Sequence, residues 1–241
     1  MIAVAPNDPD QIAPVLKKSR DRGIGVLTFD ADAAPDARDF FVNQATYTDI
    51  GVTLMDIMAE AIGPEGKYII LTGSLTAANQ VLWIREMEKH RQAKYPKMVN
   101  LSELPKPTEE DQALATRVAT DVLKSYPDVQ GMFGMTSVAL PGAAEALRTQ
   151  KAADRVYLTG LSTPKGMRSY VHDDTVKKFV LWNAVDLGYL TVHAAKLYKE
   201  GKLTDGTIQA GRLGEITVRD GEVLLGKPVT FDKSNVDAFD F

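Results

Sequence analysis

The sequence predicts an α/β protein built on parallel sheets. Short apolar runs of about four or five residues alternate with longer amphipathic stretches almost from end to end. The runs are continuously apolar rather than alternating, the pattern of strands buried on both faces beneath crossover helices. Helix start and stop signals also fall where that alternation needs them.

In order, Ile2 to Ala5 reads as a strand, followed by a helix capped by Asp8 with Pro9 at its first position, running to Arg22 and stopping at Gly23. Val26 to Phe29 and Phe40 to Val42 are strands. Tyr47 to Ile62 is a helix with Leu54, Met55, Met58 and Ile62 on one face, ended by Gly63-Pro64. Tyr68 to Leu71 resumes the sheet, Asn79 to Tyr95 is a long helix, and Val99 to Leu104 is extended. Glu109 to Tyr126 is predicted helical, its acidic first turn suiting the helix dipole. Three βα units follow: Gly131 to Met135 with Ala139 to Gln150, Val156 to Thr159 with Lys165 to Asp173, and Phe179 to Trp182 with a helix ending near Gly201. The tail changes character, because Ile216 to Arg219 and Val223 to Leu225 flank Asp220-Gly221 as a hairpin would.

The 241 residues suffice for one large domain or two ordinary lobes, and 44% hydrophobic with 25% charged residues is a globular composition. Twenty-eight basic against 32 acidic residues, without a basic run, argue against nucleic acid as a partner. The absence of cysteine excludes disulfides, thiolate metal sites and cysteine nucleophiles. Neither a basic leader nor an apolar leader core precedes the first strand, so the chain as written is expected to stay cytoplasmic.

Ligands of parallel α/β sheets gather beyond the carboxyl ends of the strands, and those positions here are polar. They are Asp30-Ala31-Asp32, Asn43-Gln44, the segment TGSLTAANQ, Thr136-Ser137, Ser162-Thr163-Pro164 and Trp182-Asn183. Asp30 has two readings: a carboxylate gripping paired hydroxyls of a polyol, or a turn residue in DADAAPDAR. A calcium loop starting at Asp30 fails, since Ala34, Pro35 and Phe41 stand where a ligand, a glycine and a glutamate are needed. TGSLTAANQ places Thr76, Asn79 and Gln80 at a helix start, either facing a ligand or capping. Without a lysine in that loop or a G-x-G-x-x-G after any strand, nucleotides have weak support. Trp182 either stacks on a sugar face or packs. GLSTP lacks the final glycine of a nucleophile elbow, and HExxH is absent. No catalytic residue, metal site or cofactor is therefore nominated, and an enzyme is not expected.

AVAPNDPDQIAPVLKKSRDRGIGVLTFDADA, FVNQA, LTAANQVLW, ALPGAAEAL, GLSTPKGMRSYV, VKKFVLWNAV and the closing VTFDKSNVDAFDF together resemble the type I periplasmic sugar-binding proteins of ABC transporters. The chain looks most like the branch holding the rhamnose-binding and autoinducer-2-binding proteins. That resemblance implies two Rossmann-like parallel-sheet lobes, with 1–43 and 183–215 in a first, incomplete lobe and 44–182 and 216–241 in the second. It implies a small sugar bound between them, a permease partner and a periplasmic location for a full-length member.

By resemblance Asp30 falls on the family's ligand carboxylate and Gln80 on the branch's ligand glutamine. Asn79 stands where autoinducer-2 binders carry an aspartate, and Met135 and Ser137 fall on a second-lobe contact segment. The amide at Asn79 favours a neutral, rhamnose-like sugar over autoinducer-2. MIAVAPNDPD resembles the family's third strand, so the chain is expected to be N-terminally truncated, with an open sheet edge prone to self-association. The rival expectations are a truncated scaffold without ligand and the sensor core of a LacI-type regulator.

Overall fold

The computed structural model describes residues 1–241 as two compact units. The first unit comprises residues 1–49, 76–79 and 182–228, and the second 50–75, 80–181 and 229–241.

Each element begins where local chemistry permits. Strand β1 (Ile2–Val4) leads to helix α1 (Pro9–Arg20), whose first amides at Asp10 and Gln11 donate to the Asp8 carboxylate, both at 3.0 Å. Gly23, at φ 74°, takes the left-handed turn that ends it. Strands β2 (Val26–Phe29) and β3 (Phe40–Asn43) follow, then α2 (Tyr47–Ile62), β4 (Lys67–Thr72), α3 (Ala78–Lys94) and the two-residue strands β5 (Val99–Asn100) and β6 (Lys106–Pro107). The rest of the chain is α4 (Gln112–Ser125), β7 (Gly131–Gly134), α5 (Ala139–Thr149), β8 (Tyr157–Gly160), α6 (Pro164–His172), β9 (Phe179–Leu181), α7 (Ala184–Lys199), β10 (Gly206–Gln209), β11 (Glu215–Arg219), β12 (Glu222–Leu224) and β13 (Val229–Phe231).

In the first unit the sheet order is β1-β2-β3-β12-β11-β10. β1, β2, β3 and β12 run parallel in register Ile2↔Val26, Leu27↔Phe40 and Val42↔Val223, while β10 and β11 close the far side antiparallel. The difference shows in burial: β3 is buried at every residue, whereas β11 alternates exposed and buried, as a one-sided antiparallel strand does. Leu187, Leu190 and Ala194 of α7 are buried in this unit's core, and a smaller cluster joins Ala13 and Leu16 of α1 to Val26, Ala33 and Ala37.

In the second unit β4 is flanked by β7 and then β8 on one side, and by β5 and β6 in succession on the other, all parallel. β13 pairs antiparallel with β9 in a separate two-stranded sheet. The core is Tyr68, Ile69 and Leu71 of β4, Leu54, Met55 and Met58 of α2, and Met87 of α3, none more than marginally exposed. A Cβ on Gly51 would lie 2.7 Å from the Met87 backbone nitrogen, so glycine lets α2 and α3 pack backbone to backbone.

Three expectations are corrected. Of the extended run Val99 to Leu104, only Val99–Asn100 is strand; the next short strand, Lys106–Pro107, lies beyond it. The helix predicted from Glu109 starts at Gln112, with Asp111 as its cap: Glu109 and Glu110 adopt left-handed φ values of 50° and 54° and form a turn, not an acidic first turn. Residues 216–228, placed with the second lobe, belong to the first unit, because β12 pairs with β3; only 229–241 return to the second. Local periodicity reveals a hairpin but not which sheet edge accepts it.

Candidate functional site

The residues after β2, β3 and β9 in the first unit, and after β4, β7 and β8 in the second, occupy the strand ends where such sheets bind ligands.

In the first unit β2 ends in a sharp reversal. Ala31 N–H donates to the Phe29 carbonyl at 2.7 Å across Asp30, which sits at φ 62°. A three-residue turn with positive φ is rare and strained for a residue that carries a Cβ. Burial pushes the Asp30 carboxyl up to about 6. Asp32 accepts from Thr28 Oγ1 (2.5 Å), Ala33 N–H (2.9 Å) and both Nε and Nη2 of Arg38 (2.6 and 2.7 Å).

At the end of β3, Asn43 Nδ2 donates to Glu222 at 2.9 Å, and Gln44 is fully buried with neither amide atom paired to another protein group. Burial first, then the carboxylates of Asp32 and Glu222, push the Tyr47 hydroxyl up to about 12. Trp182 is buried just beyond β9, and Asn183 caps α7, its Oδ1 accepting from Val185 and Asp186 at 3.0 and 3.1 Å. With that oxygen engaged, Asn183 has its Nδ2 to offer a ligand. Asn79 is half-buried in the first turn of α3 and also belongs to this unit.

In the second unit Gln80 is oriented by three hydrogen bonds. Its Oε1 accepts from Thr72 Oγ1 (2.5 Å) and Gly73 N–H (2.8 Å), and its Nε2 donates to Glu110 at 3.1 Å. These bonds settle which end of the amide is oxygen. Glu110 was not singled out in the sequence. It reaches Gln80 because the turn at Glu109 and Glu110 folds back over Gly73, where a Cβ would stand only 1.7 Å from the Glu110 carboxylate. The available signal was Gly73 itself, a residue without a side chain directly after a buried strand.

Met135 is buried and continues β7, its N–H bonded to the Leu71 carbonyl at 2.9 Å, while Ser137 is exposed. Thr136 between them accepts from the N–H of Ala139, the first residue of α5, at 3.0 Å. Ser162 is buried, and Thr163 caps α6 with Pro164 at the first helical position. Thus Asp30, Trp182 and Asn183 belong to one unit together with Asn79, and Gln80, Met135 and Ser137 to the other. Two cavities elsewhere, one at Gly25 before β2 and one at Gln130 and Val156 before β7 and β8, contain none of these residues.

Chemically, both sets offer what hydroxyls need. Carboxylates accept two hydrogen bonds side by side, and primary amides both donate and accept.

No helix is long and apolar enough to cross a membrane. Among solved structures, a sugar ABC transporter protein from Actinomyces odontolyticus is 35% identical, with a TM-score of 0.82 over 99% of this chain and 78% of that one. A solute-binding protein from Clostridium phytofermentas, solved with bound L-rhamnose, is 30% identical with a TM-score of 0.91 over 98% of this chain and 78% of its own. LsrB from Clostridium saccharobutylicum, in complex with AI-2, is 26% identical with a TM-score of 0.92 over 100% of this chain and 82% of its own. The sequence profile described as the periplasmic binding protein domain matches residues 1–203. With a profile match over residues 1–203 and likeness to these solved structures over nearly its whole length, the chain belongs to the periplasmic binding protein family of ABC-transporter solute-binding proteins.

Proposed function

We propose that this chain binds a small neutral sugar of the rhamnose type as the solute-binding component of an ABC transporter, handing it to a permease without transforming it. The observation that carries the reading is Asp30: a carboxylate kept in a strained left-handed turn directly after a buried parallel strand. Strain of this kind persists where the surroundings over-determine it, and it concentrates at ligand sites. Gln80, fixed by Thr72, Gly73 and Glu110, supplies an oriented amide, with Asn79, Met135, Ser137, Trp182 and Asn183 completing the proposed contacts. The likeness to a rhamnose-bound structure supports the choice of sugar.

Autoinducer-2 is the second reading, supported by the likeness to the AI-2 complex; the amide at Asn79 weighs against it. A scaffold without ligand and a regulator's sensor core are the remaining alternatives. Self-association through the open edge of β1 is proposed alongside the binding role.

Titration calorimetry with L-rhamnose, related deoxy sugars and AI-2 tests the reading. The expected result is saturable binding of a deoxy sugar, reduced at least tenfold in Asp30→Asn, a substitution that tolerates the left-handed turn. Absence of heat and of thermal shift with every sugar would refute it.

A further inference from the structure

We propose that Asp32 and Arg38 act as a positioning pair that locks the chain reversal at Asp30, so that the sugar-binding carboxylate is presented in one pre-organised geometry. The inference rests on the reading of Asp30 as a ligand group and adds two residues that touch no ligand themselves.

A left-handed conformation at a non-glycine residue is unfavourable on its own and must be imposed by neighbours. Two backbone bonds flank the turn: Asp30 N–H to the Val42 carbonyl at 3.2 Å, and Ala31 N–H to the Phe29 carbonyl at 2.7 Å. The side chain of Asp32 closes a bracket around it. Its Oδ1 takes the Thr28 hydroxyl, which stands two residues before Asp30 in β2, while Asp32 itself stands two residues after. Residues 28 to 32 are thereby tied into a loop whose midpoint is Asp30.

Arg38 makes the bracket rigid. It grips Asp32 with Nε and Nη2 in a two-pronged, charge-assisted contact, the strongest form such a pair takes. The guanidinium is itself anchored: Nη1 donates to the Gly221 carbonyl at 3.3 Å in the β11–β12 turn, and the group lies 5.8 Å from the ring centre of Phe41 in β3. The two side chains are only 10% and 20% exposed, so solvent screens the pair weakly. Gly221 N is not involved; its carbonyl serves Arg38 and Phe41 N–H together. The pair therefore couples the ligand-side turn to the far strands of the same sheet.

The charged and titratable groups around this turn are Asp30, Asp32, Arg38, Glu222 and the Tyr47 hydroxyl. Arg38 is committed to Asp32, and burial alone accounts for the raised titration of Asp30. Loosening the bracket lets the half-buried Asp30 carboxyl reach further into water, which weakens the cause of its shift.

The test uses the ligand-free protein first. Asp30 is titrated by carbon-detected NMR in the wild type and in Asp32→Asn, Arg38→Met and Arg38→Lys, and L-rhamnose affinity is then measured by calorimetry for each. The expected result is that the Asp30 midpoint falls from about 6 toward the ordinary carboxylate value in Asp32→Asn and Arg38→Met, with affinity reduced tenfold or more. Arg38→Lys, which keeps the charge and loses the fork, is expected between them and the wild type. Should a charge-altering variant fail to fold, Thr28→Val removes one strut of the bracket at nearly constant volume, and a fall of the Asp30 midpoint is expected there too. An unchanged midpoint in folded variants overturns the positioning role, whatever happens to affinity. A fallen midpoint in a protein that binds no sugar before or after substitution supports the positioning role and refutes the sugar reading instead.

Discussion

Asp30 combines backbone strain, at φ 62°, with a half-buried side chain whose carboxyl is raised by desolvation to about 6 from 3.8. The sign of its pH dependence follows. In the unfolded chain the group loses its proton near 3.8, whereas in the fold it holds it until about 6, so between those values the native state binds the extra proton. The stability this contributes is fully present below 3.8 and lost as pH rises through about 6. Under the proposed sugar reading, ligand affinity runs the other way, because the ionised group is the better acceptor of hydroxyls. Sugar binding is expected to weaken as pH falls from 7.5 to 5, and calorimetry at the two values checks it; equal affinity at both would remove Asp30 from the contact set. The sequence placed this carboxylate at a strand end, where its Asp-rich loop by itself favours a turn role. The structure shows the turn and the desolvated carboxyl in the same residue, a combination no local pattern encodes.

At the scale of elements, the β11–β12 hairpin is the clearest case. Asp220 and Gly221 have φ values of 52° and 73°, both positive, as the tight turn matching strand twist requires. Space is not the constraint at Gly221, since an added Cβ would meet nothing closer than 3.5 Å, so backbone conformation is. Gly221→Val is expected to lower stability by about 1–3 kcal/mol and Asp220→Asn to leave it nearly unchanged, as read from urea midpoints. A Gly221→Val midpoint equal to wild type would show the turn to be unstrained. The hairpin, the cap at Asp8 and the helix at Tyr47–Ile62 were legible because their signals lie within a few residues. The start of α4 is not legible locally: Thr108, Glu109, Glu110 and Asp111 form a run of residues competent to cap or open a helix, and only the return of the chain over Gly73 selects Asp111.

For the whole molecule, the edge of a sheet matters most. β1 has β2 as its one hydrogen-bonded neighbour, and its outer side presents backbone groups along Ile2–Val4. Unpaired strand edges template pairing with another chain. Light scattering across a concentration series is expected to show a mass rising above 26.3 kDa, and Ala3→Pro, which obstructs edge pairing, to reduce the rise. A constant monomer mass up to the solubility limit would rule the association out.

By itself the sequence determined the alternation of strands and helices, the positions of the strand ends and the polar groups placed there, since burial period and capping chemistry are written locally. Only the tertiary structure decided that the hairpin near 220 joins β3 rather than the second unit, and that β13 returns to β9. It likewise decided that Glu110 meets Gln80, and that Asp32 and Arg38 clamp the turn at Asp30. Periodicity states which face of an element is buried. Which distant partner buries it, as with Asn43 and Glu222 179 positions apart, depends on competition among whole strands for the same edge.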